Sequence, residues 1–206
     1  MEPAKLRLIV AGERLFAEKG IEATSLREIA TKAGQRNNNA VKYHFGSKDG
    51  LLQAIFDFRV AQMQPERESM LKLLEEQNKL ESLPDLLRVL FLPQLRLVDA
   101  AGDHPYAKVI IQYVTRYRTR GVPHAGDQES AHTLAVRRTV RLIAACLSHV
   151  PQTLIRDRIE LCNLMCLGMI VRYEGRVATG DEAHSLEDRL ADIIMMATAA
   201  LSAPSI

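Results

Sequence analysis

The 206-residue sequence has no Trp, only 5% aromatic residues, and few Gly, Pro and Cys, at 11, 8 and 3 residues. So little Gly and Pro excludes a collagen-like or low-complexity chain. The shortage of aromatic residues, together with abundant Leu, Ala, Arg and Glu, favours helices over strands. Because hydrophobic residues make up 47% and charged residues 25% of the chain, the composition is that of a globular protein. We therefore expect an all-α fold of one or two domains.

Long hydrophobic runs are also missing from the sequence. The longest uncharged stretches, residues 161–171 and 193–206, fall short of the roughly 18 strongly apolar residues that a membrane span needs. The N-terminus carries charges where a signal peptide would have its apolar core. These features predict a cytoplasmic protein that does not interact with a membrane.

The three cysteines, Cys146, Cys162 and Cys166, lie in apolar helical contexts. Their odd number and their surroundings indicate reduced, buried thiols rather than a disulfide framework. Cys162 and Cys166 share a helix face, but two thiols without nearby histidines are a weak sign of a metal site. We predict no metal site and no cofactor.

Positive charge is concentrated at the front of the chain. Residues 1–50 contain nine Lys and Arg against six acidic residues, whereas the rest of the chain has a net charge of −1. Glu28 is the only acidic residue between Leu26 and Lys48, a stretch that contains five basic residues. A locally positive surface is therefore available for a polyanion.

The first fifty residues contain the start and stop signals of several short helices. An apolar stripe predicts a helix over residues 5–19 that Gly20 ends. The run Ser25-Leu26-Arg27-Glu28 is a capping box, and it predicts a second helix from Leu26 to about Gly34. Asn37 is expected to cap a third short helix, which contains Ala40, Val41 and Phe45. Two short helices joined by a turn with Gly form a helix-turn-helix.

A longer helix is expected after Ser47, interrupted near Pro65 because proline breaks the hydrogen-bond ladder. Beyond it, amphipathic patterns predict a bundle, with helices over 66–80, 84–101, 105–120, 130–149, 152–178 and 186–202. Pro84, Pro105 and Pro151 lie at predicted helix starts, whereas Pro93 should kink its helix. Residues 121–126 and 175–185 are predicted loops. No alternation is long enough to predict a strand.

Two runs make a resemblance specific, TSLREIATKAG at residues 24–34 and AVKYHFGSKDGLL at residues 40–52. Their order of capping box, Ala-x-x-Ala-Gly, Tyr-His-Phe and Ser-Lys resembles the N-terminal domain of the TetR family of bacterial transcriptional repressors, over about residues 5–55. The turn before Tyr43 is one residue longer than the commonest family pattern. The resemblance implies a three-helix helix-turn-helix DNA-binding domain over residues 1–50 and a helical effector-binding and dimerisation domain over residues 51–206.

A recognition helix must present side chains that hydrogen-bond to base edges. Asn38, Asn39 and Lys42 fit this role, because Asn pairs with adenine and Lys donates to guanine. The resemblance implies phosphate contacts for a further set, so the predicted DNA-binding residues are Thr24, Ser25, Arg36, Asn37, Asn38, Asn39, Lys42, Tyr43, His44 and Lys48. The alternative is that the three Asn form a solvated turn and Tyr43 belongs to the core.

Tyrosines follow one stripe of the predicted helix 105–120, at Tyr106, Tyr113 and Tyr117. Phenols on an apolar face suggest a small-molecule pocket lined mostly by apolar groups, which His104, Met165 and Met169 could join. The alternative is that these are ordinary core or interface residues.

The helix over 152–178 is apolar on more than one side and must be covered on both. We predict that it joins helix 186–202, through Leu186, Leu190, Ile193, Ile194, Ala197 and Leu201, in a two-fold homodimer interface. The resemblance implies the same pairing. Two recognition helices related by a dyad would read a palindromic operator in double-stranded DNA.

Other classes of function have little support in the sequence. It has no Gly-x-Ser-x-Gly, no Gly-rich phosphate loop and no His-Glu-x-x-His, so we predict no catalytic residues and no enzyme. The expected function is a ligand-responsive repressor that a small, largely apolar effector releases from DNA. The alternative is a DNA-binding regulator or helical adaptor that a protein partner controls without a small-molecule ligand.

Overall fold

The computed structural model of the chain describes residues 2–204, apart from the side chain of Arg120. Met1, Ser205 and Ile206, which the predicted domains include, lie outside the described residues. The all-α prediction is confirmed, since the described part of the chain contains α-helices and no strand. The helices are α1 Pro3–Lys19, α2 Leu26–Lys32, α3 Ala40–Phe45, α4 Lys48–Glu76, α5 Leu83–Leu95, α6 Pro105–Gln112, α7 Leu134–Cys146, α8 Gln152–Thr179 and α9 Leu186–Ser202.

The start of α2 is the capping box that the sequence predicts. The Ser25 hydroxyl accepts a hydrogen bond from the Glu28 amide at 3.2 Å, and the Glu28 carboxylate accepts one from the Ser25 amide at 2.8 Å. Gly20, which ends α1, has φ 94°, a conformation that L side chains rarely adopt.

The prediction that Asn37 caps α3 is wrong. The helix begins after Asn39, and the Asn37 side chain accepts a hydrogen bond from the Asn39 amide at 2.9 Å. Asn37 thus forms a local turn with its own backbone, which is the other common use of this residue type.

The predicted break at Pro65 is also wrong, because α4 continues from Lys48 to Glu76. Pro65 lies on the exposed side of the helix, where water can bind the carbonyl that the proline ring leaves without an amide partner. Pro93 likewise lies inside α5, which ends two residues later at Leu95 instead of extending to residue 101.

The other helices begin or end at residues that differ from the predicted ones. Helix α7 begins at Leu134, four residues later than predicted, and α8 passes through Gly175 to Thr179, so part of the predicted loop is helical. The predicted helix over 105–120 is divided: α6 ends at Gln112, a π-helical turn follows at Tyr113–Tyr117, and a 3₁₀ turn at Arg118–Arg120 completes it.

The chain packs as two compact units. The first extends to Gln62 and also contains Asp99–Gln128, and the second contains Met63–Val98 and the chain from Glu129 onward. In the first unit α1 packs against α2 and α6, and α2 packs against α3; in the second, α5 packs against α7 and α9, and α8 against α9. The helix-turn-helix shares its packing unit with α6, and the functional domain boundary at residue 50 stays a prediction.

Within residues 2–204, no helix combines the length and the apolar character needed to cross a bilayer.

Candidate nucleic-acid interface

The short helix α3 is held by its neighbours. Ala40 and Val41 are buried, at 5% and 0% exposure, and α3 packs against α2. A helix of six residues is not stable by itself, so this packing keeps it in place. Its outer side carries Lys42, which is exposed, and Tyr43, which is 83% exposed.

The turn before α3 presents a row of exposed polar side chains. Arg36, Asn37, Asn38 and Asn39 are all exposed. The Asn37 side-chain oxygen is engaged by the Asn39 amide, whereas the side chains of Asn38 and Asn39 have no hydrogen-bond partner among the described residues. Both amides are available to an adenine edge, which offers one donor and one acceptor to Asn.

Two aromatic residues continue this surface along α3. Tyr43 and His44 make an edge-on contact, with ring centroids 4.9 Å apart. Since Tyr43 is 83% exposed, the alternative that it belongs to the core does not hold. His44 is half-buried.

Thr24 does not belong to this surface. The residue is 1% exposed, and its hydroxyl donates to the Leu15 and Gly20 carbonyls at 3.2 and 2.8 Å. The prediction that Thr24 contacts DNA is therefore corrected, because its side chain closes the turn between α1 and α2. Its neighbour Ser25 is exposed, with its hydroxyl in the capping box.

Lys48 is half-buried, and its ammonium is engaged by backbone. It donates to the Ile21 carbonyl at 2.9 Å and to the Glu22 carbonyl at 3.0 Å. Two of the three N–H groups of the lysine thus tie the start of α4 to the turn between α1 and α2. A phosphate contact by Lys48 stays a prediction, and only the third N–H of its ammonium group is available for that contact.

Sequence reasoning did not single out Lys5. Its ammonium nitrogen is 5.6 Å from the centroid of the Phe45 ring, so the first turn of α1 lies beside the end of α3. This neighbourhood depends on how α1 packs, and no spacing in the sequence indicates it.

The electrostatics of this unit favour an anionic partner. Arg27, Lys32 and Lys42 are exposed and have no ion-pair partner among the described residues. Glu28 is paired with Lys19 at 2.8 Å. Hydrogen bonds from Lys19 and from Ser25 lower the pKa of Glu28 to about 2, so this carboxylate is charged at neutral pH and its charge is compensated locally.

An aromatic cluster lies in the same unit and consists of Phe56, Tyr106, Tyr113 and His124. The Phe56 ring is 4.7 Å from both the Tyr113 and the His124 ring centroids. The Tyr113 hydroxyl donates to the Val122 carbonyl at 2.7 Å, and the Tyr106 hydroxyl is 3.3 Å from His124 Nε2. Because His124 Nδ1 accepts from the Gly126 amide at 3.0 Å, Nε2 carries the ring proton.

The six residues predicted to bind a ligand divide between the two units. His104, Tyr106, Tyr113 and Tyr117 are buried in the first unit. Met165 and Met169 belong to α8 in the second unit, where they line a groove of about 370 Å³ between α8 and α9. Sequence reasoning missed His124, because it lies in a stretch predicted to be a loop with no periodicity.

The outer face of α8 and α9 contains this groove and several exposed apolar side chains. Leu161, Met195 and Met196 are 62%, 66% and 51% exposed. Four of the α9 residues predicted to form an interface are instead buried inside the chain, namely Leu190, Ile194, Ala197 and Leu201. They form the inner stripe of an amphipathic helix that packs on α5 and α8, so any partner would meet the opposite side.

Comparison with known proteins finds one family model that matches the N-terminal segment. Residues 8–55 match the family described as bacterial regulatory proteins, tetR family. A segment of 56 residues is 41% identical to the HTH-type transcriptional repressor Rv3405c of Mycobacterium tuberculosis and to the HTH-type transcriptional regulator Mb3439c of Mycobacterium bovis. This segment spans 27% of the chain and 29% of each relative.

Solved structures resemble the chain over nearly its full length. A TetR-family transcriptional regulator from Mesorhizobium loti has a TM-score of 0.53 at 22% identity, covering 96% of this chain and 94% of the other. The transcriptional regulator FadR from Bacillus subtilis, solved in complex with stearoyl-CoA, has a TM-score of 0.52 at 17% identity, covering 95% and 98%. At such identities the likeness is one of fold.

Proposed function

We propose that the chain is a TetR-family repressor that binds a palindromic operator as a homodimer and leaves it when a small, largely apolar effector binds. The observation that carries the proposal is a row of exposed polar side chains, Asn38 and Asn39 in the turn before α3 and Lys42 on α3, a helix held in place by buried Ala40 and Val41. This arrangement presents hydrogen-bonding groups on a narrow element that fits the major groove.

The proposed contact of each side chain with DNA follows from its placement. Asn38 and Asn39 read adenine edges, and Lys42 donates to guanine or to a phosphate. The flanking groups contact phosphates and set the register without reading sequence. They are Ser25, Arg36, Tyr43, His44, the remaining N–H of Lys48, and Lys5 beside the end of α3.

A second copy of the chain is the proposed partner of the α8 and α9 face. Leu161, Met195 and Met196 form exposed apolar surface there, and such patches are typical of protein interfaces. In the groove, Arg172 on α8 and Asp192 on α9 offer charges of opposite sign to a two-fold related copy. The resulting dyad would place the two recognition helices one helical turn of DNA apart, about 34–36 Å, or a multiple of it.

The effector is proposed to be an amphiphile or an apolar metabolite. FadR from Bacillus subtilis was solved with stearoyl-CoA, which has a long apolar chain, and the buried tyrosines of this chain, Tyr106, Tyr113 and Tyr117, provide apolar surface with polar tips. To change occupancy of the operator, the effector must prefer one conformation by about 1–3 kcal/mol.

The DNA-binding part is tested by incubating the purified full chain with random genomic fragments and sequencing those retained. A recurring palindrome is the expected result, and it would supply the operator for further work. Retention of all fragments alike, or of none in dilute salt, would contradict the proposal.

The dimer is tested by sedimentation equilibrium on two variants. Met195→Glu should shift the chain toward monomer, because it places a charge in the proposed interface. The matched control is Leu73→Glu, at a side chain of α4 that is 52% exposed and outside that face. Equal masses for Met195→Glu and the wild type would exclude this interface.

The effector response is tested by a thermal-shift screen of apolar metabolites, since a molecule that binds the folded state raises the unfolding midpoint. Each hit is then titrated into the operator complex. A hit that leaves operator affinity unchanged would refute the proposed coupling for that molecule, and a screen without hits would favour control by a protein partner.

A further inference from the structure

Gln112, the last residue of α6, reaches the end of α1 with its side chain. Its amide nitrogen donates to the Phe16 carbonyl at 3.0 Å, and its amide oxygen accepts from the Ile21 backbone amide at 3.0 Å. Both ends of one side-chain amide are therefore bonded to backbone on the two sides of Gly20. This contact lies wholly within the first compact unit.

The segment that Gln112 holds is the turn between α1 and α2. The buried Thr24 hydroxyl bonds to the Gly20 carbonyl at 2.8 Å, and the Lys48 ammonium bonds to the Ile21 carbonyl at 2.9 Å. The turn leads directly into the capping box that starts α2, and α2 packs against α3. The turn therefore fixes where α2 begins, and α3 lies against α2.

The next residue after Gln112 belongs to the aromatic cluster. Tyr113 is 1% exposed, packs on Phe56, and begins the π-helical turn Tyr113–Tyr117. A π-helical turn contains an extra residue relative to an α-helix and is frequent at functional sites. Gln112 and Tyr113 share a peptide bond, so the backbone that carries the Gln112 side chain is continuous with the π-helical turn.

We propose that Gln112 is a positioning residue for DNA recognition, which couples the packing of the aromatic cluster to the turn that orients the helix-turn-helix. The inference rests on the proposed function, because it concerns binding to an operator. Coupling between two sites is reciprocal, so operator binding at α3 must in turn change the stability of the segment after Gln112. This reciprocity allows a test without any effector.

The test is amide hydrogen exchange of the full chain, free and saturated with the operator duplex selected above. In the wild type, operator should change exchange of the Tyr113–Tyr117 amides about fivefold or more relative to a random duplex, the lower end of typical allosteric coupling. In Gln112→Met, which keeps the length of the side chain but loses both hydrogen bonds, the operator should still bind while this change falls below about twofold.

Two further variants make the result specific. Gln152→Met makes the same chemical change at an exposed position of α8 and should respond to operator as the wild type does. Gln112→Glu keeps the acceptor for the Ile21 amide but turns a carboxylate oxygen toward the Phe16 carbonyl, which repels it, so a response as weak as that of Gln112→Met is expected. It also provides the comparison if circular dichroism shows that Gln112→Met does not fold.

A purely structural role would lower the unfolding midpoint of Gln112→Met and leave the operator-dependent exchange intact, which would overturn the inference. An operator complex of the wild type with unchanged exchange at Tyr113–Tyr117 would overturn it as well. A wild-type chain that binds no DNA would refute the proposed function itself, and with it the coupling. The binding measurement separates these failures.

Discussion

A buried ion pair joins α1 to α4 and gives the most quantitative prediction. Glu13 and Arg59 are 1% and 6% exposed. Arg59 donates from Nε to Glu13 Oε1 at 2.8 Å and from Nη2 to Glu13 Oε2, and a third N–H bonds to the Gln62 side chain at 2.7 Å. The pair is thus bidentate and nearly inaccessible to water, so neither charge can be solvated when the other is removed.

The perturbation is Glu13→Ala, which leaves the guanidinium buried without its counter-ion. Removing one partner of a buried pair costs about 3–5 kcal/mol, and two charge-assisted hydrogen bonds at about 1.5–3 kcal/mol each give a similar sum. For a chain of 206 residues, a loss of 1 kcal/mol lowers the unfolding midpoint by about 2–4 °C. The expected decrease in the midpoint is therefore about 6–20 °C.

The assay is urea denaturation and thermal unfolding, followed by helical circular dichroism. The double variant Glu13→Leu with Arg59→Met should recover most of the loss, because it leaves no unpaired charge. The control is Lys72→Gln, which removes a surface pair 3.9 Å long with side chains 78% and 60% exposed, and it should cost under about 0.5 kcal/mol. A loss below about 1 kcal/mol in Glu13→Ala, or a double variant less stable than the single one, would refute the reasoning.

Four further predictions concern the helix-turn-helix. Asn38→Ala should cost about 1–3 kcal/mol at one base position of the operator, and equal weakening on random duplex would show that Asn38 does not read a base. Lys42→Ala should lower the salt dependence of DNA binding by about one unit, as measured by titration at several salt concentrations; an unchanged slope would exclude a phosphate contact. Thr24→Val should destabilise the fold by about 1–3 kcal/mol, since it removes a buried hydrogen-bond donor, without changing that slope; a changed slope would restore Thr24 to the interface. The pKa of Glu28 is lowered to about 2 from its ordinary 4.5, so the stabilisation by its carboxylate is present above pH 4.5 and is lost as the pH falls toward 2. In Glu28→Gln the free energy of unfolding should therefore decrease less steeply between pH 4.5 and 2 than in the wild type, and the same decrease in both would contradict this prediction.

Much of the helix-turn-helix could be predicted because its signals are local. The capping box of Ser25 and Glu28 satisfies two backbone amides within four residues of chain, and Gly20 ends α1 through its own backbone freedom. The burial of Ala40 and Val41 likewise follows from an apolar pair on a short helix. Such features depend only on residues that are close in sequence, so the sequence alone contains all the information needed to predict them.

Predictions that depended on what a residue contacts across the fold were less successful. Thr24 looks like a DNA ligand in a basic segment, yet it is buried and its hydroxyl bonds to the Leu15 and Gly20 carbonyls. Lys48 donates to the Ile21 and Glu22 carbonyls, which no sequence pattern indicates and which leaves one N–H for its predicted phosphate contact. A break at Pro65 was expected from the ring alone, but the ring falls on the exposed side of α4. The ring alone does not indicate which side of the helix the proline occupies.

The amino-acid sequence alone therefore determined that this protein is helical and that its N-terminal quarter is a helix-turn-helix with an exposed polar edge. Helix caps, hydrophobic periodicity and local charge are set by residues a few positions apart, so they can be identified in the sequence. Only the tertiary structure decided that α6 shares a compact unit with that element, that Gln112 bonds to the end of α1, and that His124 joins Phe56 and Tyr113 in a cluster. These contacts join residues dozens of positions apart, and their partners are chosen by how whole helices pack to exclude water, which no local pattern specifies.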